Sequence, residues 1–270
     1  MEARFLLIYR AERFSPNAVD RDKAMLDEVA RLLKASFGAE VSMLHEHELA
    51  EASASGNASD NAEANASGYA DYAGFTIVHM TRSAEALTKL DAMQSNGARI
   101  LNPPSAIRAV NRANIEAAMA ANGLPTPARL IEMHPELGGK GWWIKANDTT
   151  DSSPSHIQFH EVLPQELAVK DQDLLVQPHI EGQNIKFYGV RGTEFFKVRE
   201  DIPSETLQQL RTSANILADA LSLDIYGGDA ILTPSGLLTI IDFNDFPSFS
   251  SCREEAAKAI LGLCIDSTHN

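Results

Sequence analysis

The feature that most constrains the fold is a change of pattern near residue 103. Before it, short apolar runs at 5–9, 41–44, 75–80 and 99–101 alternate with stretches of helical spacing. Residues 20–37 place Met25, Leu26, Val29, Leu32 and Leu33 on one face and stop at Gly38; residues 83–96 do the same with Leu87, Leu90 and Met93. Such alternation predicts a small parallel α/β domain over residues 1–103, closed by Asn102-Pro103-Pro104. Residues 51–70 are different material, rich in Ala, Ser, Asn and Gly with no large apolar residue before Tyr69, and read as a flexible surface insertion.

From residue 104 hairpins take over. Residues 105–121 are helical, in one piece or two, and Asn122-Gly123-Leu124-Pro125-Thr126-Pro127 ends them. Strand-like runs follow at 128–131, 142–145, 156–159 and 174–178. Runs at 185–190 and 193–199 flank the turn dipeptide Arg191-Gly192, and runs at 228–232 and 237–242 flank Pro234-Ser235-Gly236. Helices are expected at 204–221 and 254–263. Residues 104–270 are thus predicted to be antiparallel strands with helices, an α+β region behind an α/β one.

Charge excludes one class of partner. With 23 Lys and Arg against 37 Asp and Glu among 270 residues, the net charge of −14 opposes general nucleic-acid binding, which relies on excess cations. Cys252 and Cys264, two in all, form neither a zinc site nor a disulfide framework and are expected to be buried thiols. The opening Met-Glu-Ala-Arg-Phe-Leu-Leu-Ile-Tyr-Arg is too soon charged for a secretion signal, and no apolar stretch approaches the ~18 residues of a membrane span. The expectation is a cytoplasmic protein with neither nucleic acid nor membrane as partner.

Three polar groups could carry chemistry. In the last hairpin, strand alternation puts Asp242 and Asn244 on one face, with Ile241 and Phe243 on the other, and brings Asp229 close to opposite them. Two carboxylates and an amide oxygen suit Mg²⁺ with phosphates completing its shell; the same run is also good turn chemistry at a polar strand end. Lys145 ends the strand Trp-Trp-Ile-Lys, where an ammonium can meet phosphate oxygens or simply reach solvent. The segment 174–186 contains Pro178, so it cannot be an uninterrupted central strand; it leaves backbone groups near 178–180 free, either to hydrogen-bond a base edge or simply as part of a strand crossing between domains with solvated polar residues. Asn184 and Lys186 then alternate onto one face of the next strand. Phosphate-loop, dinucleotide and nucleophile-elbow glycine motifs are absent.

Taken in order, these pieces resemble the ATP-grasp superfamily. The resemblance is carried by Asn102-Pro103-Pro104-Ser105-Ala106-Ile107, the 122–127 run, Trp143-Ile144-Lys145, Val176-Gln177-Pro178-His179-Ile180-Glu181-Gly182, Gly227-Gly228-Asp229-Ala230-Ile231 and Ile241-Asp242-Phe243-Asn244-Asp245-Phe246-Pro247. It implies ATP and Mg²⁺ as cofactors. Lys145 is similar to the lysine on the α/β-phosphates, Gln177, Pro178, His179 and Ile180 to the adenine-reading hinge, and Asn184 to a ribose contact. Lys186 resembles the basic residue facing the γ-phosphate, and Asp229, Asp242 and Asn244 the metal ligands. Asn111-Arg112 stands where the family has Asp-Lys, which makes Arg112 the candidate phosphate contact. The lid segment 147–154 has no glycine, and Gln177 replaces a common Glu.

Within the superfamily the sequence is similar to the ribosomal-protein glutamate ligases, which join a carboxylate to an amine through an acyl phosphate. Ser155-His156 and the 242–247 ending resemble inositol polyphosphate kinases instead. The expectation is a carboxylate–amine ligase, with a small-molecule kinase or an inactive nucleotide-binding module as alternatives. Arg82, after a strand end, and His156 are candidate contacts to a small-molecule or peptide acceptor, and a homodimer is the candidate assembly.

Overall fold

The computed structural model describes residues 3–38, 40–51, 72–147, 157–164, 174–192, 194–197 and 202–266. The expected insertion beyond Glu51, the lid segment beyond Asn147, and His156 lie outside them. The chain divides into two compact units: Met1–Ile107 with Gly192–Glu194 and Phe246–Asn270, and Arg108–Arg191 with Phe195–Asp245.

In the first unit, β1 (Arg4–Tyr9), β2 (Glu40–His45), β3 (Phe75–His79) and β4 (Arg99–Leu101) form a parallel sheet in the order β2-β1-β3-β4. All of β3, and β1 beyond Arg4, is buried, as expected of parallel strands covered on both faces. Helix α1 (Val19–Phe37) buries Met25, Leu26, Val29, Ala30 and Leu33, and Gly38 ends it in the left-handed conformation, φ 55°. A short helix that the sequence reading omits, α2 (Glu46–Glu51), follows β2. Helix α3 (Ala84–Ser95) starts at Ser83, whose hydroxyl accepts the Ala86 N–H, and buries Leu87, Leu90 and Met93. Each fully buried Leu or Ile in this core contributes roughly 2 kcal/mol.

Two polar devices fix the carboxyl ends of these strands. Glu46, 1% exposed, accepts the backbone N–H groups of Ala11, Arg82 and Ser83 at 2.7, 2.8 and 2.5 Å. His79 donates from Nε2 to the carbonyl of Asn102 at 2.9 Å, which leaves Nδ1 to accept from the Thr81 hydroxyl at 2.7 Å. The last helix of the chain (Arg253–Asp266) packs against α1, and Arg10 and Arg99 donate to the carbonyls of Phe246 and Leu263.

Helix α4 (Pro104–Ala109) leads into the second unit, where α5 (Arg112–Ala121) starts afresh because Asn111 caps it through the Asn114 N–H. The strand expected at 128–131 is instead helix α6 (Pro127–Met133). Thr126 accepts the Arg129 N–H and Pro127 occupies the first helical position, so the Thr-Pro pair starts a helix here as well as ending a loop. Strands β5 (Trp142–Ala146), β6 (Ile157–His160) and β7 (Leu174–Pro178) make an antiparallel sheet in the order β6-β5-β7. Strands β8 (Gln183–Val190), β9 (Glu194–Lys197), β10 (Ile225–Leu232) and β11 (Leu238–Asp245) make another in the order β11-β10-β8-β9. One face of the larger sheet buries Phe187, Tyr226 and Phe243, the last two stacked at 5.3 Å; helix α7 (Ser204–Ala220) buries Leu210, Ala214 and Leu217. Among the described residues no helix is long and apolar enough to cross a membrane.

Candidate functional site

Register builds the polar face of the larger sheet. Asp229 on β10 lies opposite Lys186 of β8 on one side and Asp242 of β11 on the other. The two-residue period adds Asn184, opposite Ile231, and Asn244, opposite Gly227. Lys186 Nζ is 3.1 Å from Asp229 Oδ2, and Asn244 donates from Nδ2 to Asp242 Oδ2 at 2.8 Å. This second bond leaves the Asn244 amide oxygen as an acceptor beside two carboxylates.

Simple alternation fails one residue further on. Asp229 pairs with Asp242 but Ala230 pairs with Ile240, so Ile241 is an extra residue in the ladder, a β-bulge. The expected placement of Ile241 on the face away from Asp242 is therefore corrected: both line one cleft, while Phe243 is buried in the aromatic core. The bulge also leaves Ile241 without a partner residue, and its carbonyl accepts from Lys145 Nζ at 2.9 Å.

The smaller sheet supplies the facing wall. Trp143 and Lys145 share a strand face with Gln177, opposite Trp143, and Ile157, opposite Lys145. The His179 N–H donates to the Gly141 carbonyl at 2.9 Å, so residues 179, 177 and 175 turn their backbone groups toward β5. Pro178 falls between them at a non-hydrogen-bonded position opposite Trp142, which is why β7 tolerates it. Of the backbone groups near 178–180, the His179 N–H is committed to Gly141. The Pro178 carbonyl faces away from β5, and the Ile180 N–H has no backbone partner among the described residues.

Trp143 donates from Nε1 to His179 Nδ1 at 3.1 Å, and Phe159 lies against both rings, with centroids at 5.1 and 5.5 Å. Gly141 beneath them must be glycine: its φ is 130°, and a Cβ would stand 2.5 Å from the Phe159 ring. Gln177 donates its amide N–H to Glu116 of α5 at 2.8 Å.

Of the residues singled out in the sequence, Lys145, 177–180, Asn184, Asp229 and Asp242 line this one cleft of about 600 Å³, within the range of small-molecule sites. Lys186 and Asn244 are tied to its carboxylates. Arg112 hydrogen-bonds the carbonyl of Ala146 at the end of the lysine's strand. Arg82 belongs to the first unit, and His156 lies outside the described residues. Another hollow, about 560 Å³ in the first unit, is lined by groups such as the Glu28–Arg31 ion pair and gathers no comparable set of donors.

Three contributors stand outside the expected site residues: Trp143, Ile241 and Glu116. Trp143 could have been found, since it stands two residues before Lys145 on a strand. Ile241 enters only through the bulge, and Glu116 only through a contact 61 residues away.

Electrostatically the cleft is mixed. Burial holds the Lys145 ammonium below its usual pKa; Asp242 opposes that shift most strongly, and Arg112 adds to it. Lys145 is 6% exposed and carries a carbonyl partner, so its charge is held in place facing Asp242 and Asp229. Two carboxylates, an amide oxygen and two lysines, with Trp143, Ile180, Ile231 and Ile241 lining the same cleft, can hold a polyanion joined to a flat apolar group.

Comparison with known proteins agrees at the level of fold. No family model and no curated protein sequence matches the chain. Among solved structures, D-alanine–D-alanine ligase from Bacillus anthracis superposes with a TM-score of 0.64 at 12% identity, over 98% of this chain and 96% of that one. The ATP-grasp ligase PsnB, complexed with precursor peptide PsnA2 and AMPPNP, gives 0.60 at 12% identity over 97% of each chain. PurK, the N5-carboxyaminoimidazole ribonucleotide synthetase, gives 0.55 at 13% identity over 92% of this chain and 71% of that one. Over nearly its whole length the chain has the ATP-grasp fold.

Proposed function

We propose that this chain binds Mg-ATP in the cleft of its second unit and is a carboxylate–amine ligase working through an acyl phosphate. The observation that carries the reading is the direct pairing of Asp229 with Asp242 on a sheet face that Lys145 reaches from the opposite wall. The neighbours named as ligases support it, and the ATP-grasp domain on this reading occupies residues 104–270 behind an N-terminal domain of 1–103.

The donor set fits a hard divalent cation. Asp229, Asp242 and the Asn244 amide oxygen would hold Mg²⁺; among the described residues no three His, Cys, Asp or Glu side chains are placed to hold a metal ion, so nucleotide phosphates and water would complete its shell. When bound, Mg-ATP supplies the phosphoryl group that activates the acceptor's carboxylate. Lys145, held on the Ile241 carbonyl, would neutralise phosphate oxygens, Lys186, now paired with Asp229, would face the terminal phosphate, and Arg112 supports the end of the Lys145 strand. Pro178 C=O and Ile180 N–H offer an acceptor–donor pair that would take the base edge, Trp143 and the isoleucines would line its faces, and Asn184 would be the ribose contact. Arg82, with its backbone N–H fixed by Glu46, binds the acceptor.

Supplying Mg-ATP, a panel of carboxylates or peptides, and hydroxylamine tests this directly. A ligase yields ADP and a hydroxamate, because hydroxylamine intercepts the acyl phosphate; Arg82→Ala should keep nucleotide affinity and lose this turnover. ADP with a stable phosphoester and no hydroxamate would make the chain a kinase. No ADP with any acceptor would make it a nucleotide-binding module without turnover.

A further inference from the structure

We infer that Glu116 sets the base preference of the cleft by fixing which end of the Gln177 amide faces it. The inference rests on the reading of the cleft as a nucleotide site. Gln177 is 5% exposed, lines the cleft, and stands one residue before Pro178. A glutamine amide has a donor end and an acceptor end, and left alone it could turn either one inward. Glu116 accepts from Gln177 Nε2 at 2.8 Å without itself lining the cleft. A carboxylate offers only acceptors, so the NH₂ end is drawn to Glu116 and the oxygen end is left for the ligand. Turning the amide over would set oxygen against oxygen.

The cleft then presents two acceptors in succession, Gln177 Oε1 and Pro178 C=O, followed by one donor, Ile180 N–H. An exocyclic amine beside an unprotonated ring nitrogen, as in a 6-aminopurine, matches this order. A 6-oxopurine opposes it at every position, placing its oxygen against two acceptors and its ring N–H against a donor. An unpaired glutamine would blunt that discrimination by rotating. Glu116 acts through Gln177 and is a positioning residue, with base selectivity as its signature.

The test compares dissociation constants of AMPPNP and its inosine counterpart, both with Mg²⁺, so that phosphate and metal contacts cancel in the ratio. Wild type should favour the adenine compound. Glu116→Gln, which offers Gln177 either a donor or an acceptor, should narrow the ratio on the order of tenfold. Gln177→Met should narrow it similarly, and the double variant no further than Gln177→Met alone. A ratio unchanged in Glu116→Gln, or additive losses in the double variant, would overturn the inference while leaving the nucleotide site intact. Wild type that binds neither compound would overturn the nucleotide reading and this inference with it. Should Glu116→Gln fold poorly, Gln177→Met decides alone, because a wild-type ratio there leaves Glu116 nothing to orient.

Discussion

Burial works against the charge of Lys145, and the residue keeps it because the Ile241 carbonyl and the neighbouring carboxylates stand around it. The folded chain therefore holds this proton less tightly than the unfolded chain does. Between the lowered folded pKa and the ordinary lysine value of 10.5, the unfolded state binds more protons, so the penalty on stability eases as pH rises through that window. Lys145→Met keeps the volume and removes the charge. It should leave the free protein's melting temperature equal or higher at pH 7 and weaken Mg-ATP binding by at least about tenfold. Its stability advantage over wild type should shrink toward pH 10. A variant that melts earlier at pH 7 and binds nucleotide as before would contradict this reading of the residue. Lys145, Asp229 and Asp242 could be picked out from the sequence because each is a charged residue in or at the end of an otherwise apolar strand run, within a motif that resembles a known family. Glu116 could not, since nothing local marks a helix residue whose partner is on a distant strand.

Among elements, those that the sequence made legible are those held by local rules. The buried strands of the first sheet, the Gly38 stop of α1 and the hairpin at Pro234-Ser235-Gly236 follow from periodicity and turn chemistry. Helix α6 replaces an expected strand because Pro125-Thr126-Pro127 looks like a terminator, although Thr followed by Pro also caps a new helix. The bulge at Ile241 was invisible for a different reason: a one-residue slip depends on what the partner strand presents. The links between elements in the first unit hang on Glu46, which gathers N–H groups from the ends of β1 and from the start of α3. Glu46→Ala strands three donors, two of them the N–H groups of Arg82 and its neighbour Ser83. It should destabilise the protein by about 3 kcal/mol or more, read as a shifted urea midpoint. A midpoint within error of wild type would mean that water replaces the carboxylate freely.

Across the whole molecule, an ATP-grasp fold persists at 12% identity because the fold asks for little that is specific. It needs a parallel sheet with buried strands, two antiparallel sheets with one apolar face each, and a few polar groups at fixed register positions. Helical and strand periods supply the first two, which is why the architecture could be read from the sequence. The polar groups matter for what the fold does, and here their arrangement argues for nucleotide and metal together: Asp229 and Asp242 side by side, Asn244 bonded to Asp242, Lys145 on the facing wall. Calorimetric titration with AMPPNP, with and without Mg²⁺, on wild type and on Asp242→Ala/Asn244→Ala tests this most directly. Wild type should bind saturably and lose at least about tenfold in affinity without the metal, and the double variant should no longer respond to Mg²⁺. Absence of binding by wild type in the presence of Mg²⁺, or equal affinity in the double variant, would contradict this reading.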